Sequence, residues 1–130
     1  MRAIDTNIVI RILLRDDPSQ IILVDNLVSG GNLLIANTVA IETEWVLRGV
    51  YKYGRLDAAD LLETLLEIDG IFLQNPDGFK WTVERYRNGA DFADMMHLLK
   101  LDNVRAFITF DRKMPSQAGL DCPTSIEILK

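Results

Sequence analysis

Five acids in this chain stand where carboxylates can do chemistry. Asp5 closes the short apolar run Ala3-Ile4, and Asp111 closes Ala106-Phe107-Ile108-Thr109-Phe110. An apolar run closed by a carboxylate reads as a buried parallel strand with an acid at its carboxyl edge. Ligands of open α/β sheets bind in the crevice at that edge. Glu42 falls one turn into a helix that follows a further apolar run, so it sits near the same edge. Asp91 and Asp94 are three residues apart and share one helix face near its N-terminus. Their neighbours Phe92, Met95, Met96 and Leu98 are apolar. An acid in such surroundings is costly unless it is paired or holds a metal. Carboxylates that converge repel one another and take up protons more readily, and a divalent cation removes that conflict. With one histidine (His97) and one cysteine (Cys122), an oxygen-only ligand set favours magnesium or manganese over zinc or copper.

The elements that must position these acids alternate between strand and helix. A strand at about 2–5 leads into a helix from Thr6 to about Arg15, with Thr6 or Asn7 as its cap. Asp16-Asp17-Pro18 breaks it, Pro18 begins a second helix, and Gly30-Gly31 ends that one. Residues 32–36 read as a strand. Thr38 caps a helix through about Tyr53, and Asp57 caps the next, with Ala58, Leu61, Leu62, Leu65, Leu66 and Ile68 on one face. Ile71-Phe72-Leu73 is a strand, and Pro76 opens a helix reaching Asn88-Gly89. A helix at 91–102, a strand at 105–110 and an edge strand at 126–128 complete the pattern. Strands alternating with helices give an α/β domain, its sheet mostly parallel and covered by helices on both faces.

Composition narrows the function. The 130 residues fit one domain, 1–130, with a real core. No apolar run is long enough to span a membrane. Asp5 interrupts the first apolar run, so the amino-terminal residues do not read as a secretory signal. The single Cys122 excludes an intrachain disulfide and a multi-cysteine zinc site, and is what a reducing cytoplasm permits. A formal charge of −5 argues against broad coating of nucleic acid by charge, and is what a basic partner would seek.

Asp5-Thr6-Asn7 after the first strand, Ile41-Glu42-Thr43-Glu44-Trp45-Val46-Leu47, Ala90-Asp91-Phe92-Ala93-Asp94-Met95-Met96-His97 and Thr109-Phe110-Asp111-Arg112-Lys113 together resemble the PIN domain. The short single-domain form is similar to VapC-type toxins of toxin–antitoxin pairs. The likeness covers essentially the whole chain. It implies a three-layer α/β/α domain with a mostly parallel central sheet of four or five strands. It places the family's four catalytic, metal-binding acids at Asp5, Glu42, Asp94 and Asp111, a further acid at Asp91, and supporting polar residues at Asn7 and Thr109. It also implies Mg²⁺- or Mn²⁺-dependent endoribonuclease activity with one or two ions, an RNA substrate, a cytoplasmic homodimer, and a small antitoxin protein with a DNA-binding domain.

The residues themselves fit that chemistry. Metal-held acids polarise a scissile phosphate and acidify a water for in-line attack. Arg11, Arg48, Arg112 and Lys113 are candidates for contact with the RNA backbone, which gives affinity without reading sequence. Glu44 is the alternative to Glu42. Glu42 is preferred because Ile41, Trp45 and Val46 flank it as core. His97 reads as a packed helix residue, Trp45 and Trp81 as core or interface, and Asp57, Asp60, Glu63 and Glu67 as a solvated face. A receiver domain would want paired acids after the first strand, and a haloacid-dehalogenase-type phosphatase would want Asp-x-Asp where Asn7 stands. The serious rival is a non-enzymatic PIN-like binding subunit of a DNA-binding regulatory complex.

Overall fold

The computed structural model describes residues 1–130. The order is β1 (Arg2–Ala3), α1 (Thr6–Leu14), α2 (Pro18–Ser29), β2 (Leu33–Ile35), α3 (Asn37–Gly49) and α4 (Arg55–Thr64), which runs into a 3₁₀ turn at Leu65–Glu67. β3 (Ile71–Leu73), α5 (Pro76–Arg87), α6 (Phe92–His97), β4 (Ala106–Thr109), α7 (Met114–Ala118) and β5 (Ser125–Ile128) follow. No helix is long and apolar enough to cross a membrane.

Every strand pairing is parallel, as the alternation of strand and helix requires. The expected single sheet of four or five strands is divided, however. β1-β2-β3 form a central sheet of three strands, and β4-β5 pair separately with Ala106 opposite Ser125 and Thr109 opposite Ile128. The division has a local cause. The first strand is only two residues long, and both of them are exposed. Ile4 still donates its N–H to the Leu34 carbonyl (3.0 Å), but Asp5 already belongs to the helix start.

The core follows the sheets. A large cluster gathers Val9, Ile10, Leu33, Ile35, Leu47 and Leu62 with the rings of Phe79, Tyr86 and Phe92. A small one holds Ala90, Met95, Leu98, Met114 and Ala118 under β4 and β5, and Trp81 packs against both. Phe92 stands edge-on to Phe79 (centroids 6.2 Å apart) and to Tyr86 (5.5 Å). Emptying such a position costs about 3–5 kcal/mol, and here it would also free the helix that carries Asp94.

Three helix starts differ from expectation, for one reason. Asp5 caps α1, the plain alternative to a metal role for this acid, where Thr6 or Asn7 is the first candidate in the sequence. The backbone enters α3 at Ala36 and α4 at Gly54, so Thr38 and Asp57 lie inside the first turns. In each case the strand or loop ends earlier than its composition implies, and the extended residue before the helix becomes the cap whatever its side chain. α6 is six residues long, not twelve. From Lys100 to Arg105 the chain offers only exposed residues, and Asn103 takes a left-handed conformation (φ 62°) that a helix does not accept.

Candidate active site

Asp5 reaches its place because α1 starts immediately after β1. Its Oδ1 accepts the Ile8 N–H (3.1 Å), which satisfies one of the donors a helix start leaves unpaired. Thr6 follows, buried, and its hydroxyl donates to Glu42 Oε1. That bond ties the start of α1 to the second turn of α3. Asp5 and Glu42 therefore come from neighbouring helix starts, although 37 positions apart in the sequence. The sequence offers Thr6 as a cap or as part of a helix start that could hold a phosphate, not as a partner of Glu42; the signal for that role is a small hydroxyl residue directly after the acid, on the inward side of the first helical turn.

The carboxyl-terminal acids form the second half. Asp91 caps α6, its Oδ2 accepting the Asp94 N–H (2.9 Å). Asp94 is half-buried, and its carboxyl is raised above the ordinary range. Burial is the first cause, the negative charges of Asp91 and Asp111 are the next, and His97 acts weakly the other way. Asp94 and Asp111 thus feel each other although they stand on different elements. Asp111 follows β4, and Thr109 shapes its turn: Thr109 Oγ1 accepts the Asp111 N–H (3.0 Å), and Asp111 Oδ1 accepts the Lys113 N–H (2.9 Å).

The expected acids are accordingly gathered in two groups, Asp5 with Glu42, and Asp94 with Asp91 and Asp111. No three His, Cys, Asp or Glu side chains stand together at metal-holding distance. The donor chemistry still fits a hard cation, since every candidate ligand is a carboxylate. The like-charge stress on Asp94 is the condition that a cation relieves.

The other expectations divide. Glu44 is engaged elsewhere: its Oε2 accepts from the Tyr86 hydroxyl (2.9 Å), and that hydroxyl oxygen accepts from Arg48 (3.1 Å). Glu42 is left as the acid facing α1; of the residues that flank it, Ile41 and Val46 pack against the core as expected, while Trp45 is 66 % exposed. The inward seam of α3 is Ala40, Thr43 and Leu47, and Trp45 lies off it. Two of the four candidate backbone contacts are already occupied: Arg48 by Tyr86, and Arg11 by Asp16 (2.5 Å) and by the Tyr51 hydroxyl. Arg112 and Lys113 are exposed next to Asp111. Asn7 is exposed beside Asp5. His97 is exposed and stacks on Phe107, with the rings 8° from parallel. Trp81 is half-buried and donates its indole N–H to Asp121 (3.3 Å). Asp57, Asp60, Glu63 and Glu67 form the expected solvated face, and Arg87 pairs with Asp60 (2.6 Å) and with Glu63.

A groove of about 630 Å³ opens at Asp5, between α1 and α2. Asn7, Arg11, Asp17 and Gln20 give it polar walls, and Ile8, Leu23, Val24 and Leu27 an apolar lining.

Comparison with known proteins adds one finding. A family model described as the PIN domain matches residues 3–120. No curated protein and no solved structure gives a significant match.

Proposed function

The chain belongs to the PIN domain family, generally a nuclease fold, and we propose from this that it is a Mg²⁺- or Mn²⁺-dependent endoribonuclease, the toxin of a toxin–antitoxin pair. The observation that carries the reading is the stressed carboxyl of Asp94, half-buried and facing the charges of Asp91 and Asp111 beside the end of β4. A half-buried acid kept under like-charge repulsion is under a stress that a bound cation would relieve.

In this reading Asp5, Glu42, Asp94 and Asp111 hold one or two divalent ions. A bound ion supplies Lewis-acid polarisation of the scissile phosphate and lowers the pKa of a water. The chain's own residues do the rest. The Thr6 hydroxyl holds Glu42 in one rotamer. Asp91 fixes the first turn of α6 and with it the direction of Asp94. Thr109 fixes the turn that presents Asp111. Arg112 and Lys113 lie beside that acid with no ion pair to break, and take the RNA backbone. The same reading makes the working unit a cytoplasmic homodimer held in check by a small basic antitoxin with a DNA-binding domain. The formal charge of −5 suits such a partner.

The test is cleavage of single-stranded RNA by purified protein with Mg²⁺ or Mn²⁺, set against Asp5→Asn and Asp94→Asn. Cleavage by the wild type alone supports the reading. Equal background cleavage by all three overturns it in favour of a binding subunit. A short gene for a basic DNA-binding protein beside this one would support the toxin assignment.

A further inference from the structure

The groove between α1 and α2 is not used by the chemistry above, and it begins at one of the acids that performs it. We propose that it is a nucleobase subsite, which takes an unpaired base adjacent to the scissile phosphate and gives the cleavage its sequence preference. The inference rests on the ribonuclease reading and deepens it.

Three observations point to a base. The first is continuity, because Asp5 itself lines the groove. A nucleotide whose phosphate lies against Asp5 must send its neighbouring base somewhere, and this cleft adjoins that acid. The second is charge. Asp5 and Asp17 oppose the single Arg11, and Arg11 is already held by Asp16 and Tyr51. Asp17 is in turn fixed as the cap of α2, with Ser19 holding its carboxyl below the ordinary range. The lining carries no uncommitted cation for a phosphate, and suits an uncharged ring. The third is the pattern of polar and apolar groups. Asn7 and Gln20 present exposed amides, each with donors and an acceptor, which is the chemistry that reads a base edge. Leu23 is 69 % exposed beside them and offers an apolar surface for the ring face. Single-stranded RNA is read in this way, by unstacked bases splayed into pockets. At about 630 Å³ the groove is within the size range of small-ligand sites.

Gln20 and Leu23 are exposed on α2, so Gln20→Ala and Leu23→Ala leave the core intact. The experiment sequences the ends produced from a randomised single-stranded RNA by wild type and both variants. A second readout measures binding of the preferred oligonucleotide when each change is combined with Asp94→Asn, which removes cleavage from the question. The expected result is a flattened preference at one position next to the cut, and about threefold to tenfold weaker binding for Gln20→Ala, the loss of one or two neutral hydrogen bonds. An unchanged end profile with unchanged binding in both variants overturns the subsite. So does an unchanged profile accompanied by loss of inhibition by a partner protein, which would assign the groove to a peptide. A wild type that cuts no RNA overturns the ribonuclease reading instead, and the binding readout separates that failure from this one.

Discussion

The two halves of the acid constellation are built in opposite ways. In the amino-terminal half the fold satisfies its carboxylates: Asp5 accepts a backbone N–H, and Glu42 accepts the Thr6 hydroxyl. In the carboxyl-terminal half Asp91 and Asp111 also accept backbone N–H groups, but Asp94 between them is left with burial and two like charges. The difference teaches where a cation would act most. Under the proposed metal reading, the hydrogen-bonded acids would be ligands already oriented by the fold. In that reading, Asp94 is the carboxylate whose like-charge stress an arriving cation would relieve.

That contrast can be broken by mutation. Asp94→Asn removes the stressed ligand, and cleavage of single-stranded RNA should fall by at least about 100-fold, more than outer-sphere changes around a metal site usually cost. If Asp94→Asn cuts as fast as the wild type, the two halves do not form one site. Next in size is Thr6→Val, which keeps the shape and deletes the hydroxyl that orients Glu42. Activity should drop about 10-fold at saturating Mn²⁺, and partial recovery in Thr6→Ser would show that the hydroxyl is responsible.

Thermal melting sharpens the comparison further. Mn²⁺ at 100 times its dissociation constant should stabilise the wild type by about 2.7 kcal/mol, because an ion that binds only the native state shifts unfolding by mass action. Asp94→Asn and Asp111→Asn should blunt the rise in Tm. The smallest effect is on pH. The raised Asp94 carboxyl means that the native state holds this proton more tightly than the unfolded chain does. Without divalent ions, stability should therefore fall as pH rises from the ordinary carboxylate range through the raised native value. Asp94→Asn should flatten that slope and raise the metal-free Tm slightly. Denaturation in EDTA across that pH window measures both.

Much of this arrangement was legible in the residues, unevenly. β3 reads directly as Ile71-Phe72-Leu73, because three apolar residues stand between turn signals, and α5 announces itself through Asn75-Pro76. Asp91 as the cap of α6 follows from its place before an apolar helix. The core half of the reading for Trp45 fails because Thr43 conceals the inward seam of α3. Its hydroxyl donates to the Val39 carbonyl (2.7 Å), and a polar residue so satisfied can be buried completely. The division of the sheet was not legible at all. The strand runs near 4 and 107 look alike as sequence, and which edges pair depends on where β1 stops. Nor did spacing reveal that Arg11 and Arg48 are already engaged, since Tyr51 and Tyr86 are distant in the chain.

Arg85 touches none of the acids, yet it clasps the segment behind Asp111. Its Nε donates to the Gln117 carbonyl (2.7 Å), and a side chain added at Gly119 would lie 3.2 Å from the guanidinium. Gly119 also needs its positive φ of 81°, so any replacement there both strains the backbone and pushes on the clasp. The segment that follows Asp111 is thus held to α5 by Arg85, and a change at Gly119 would loosen that hold without replacing any of the candidate acids.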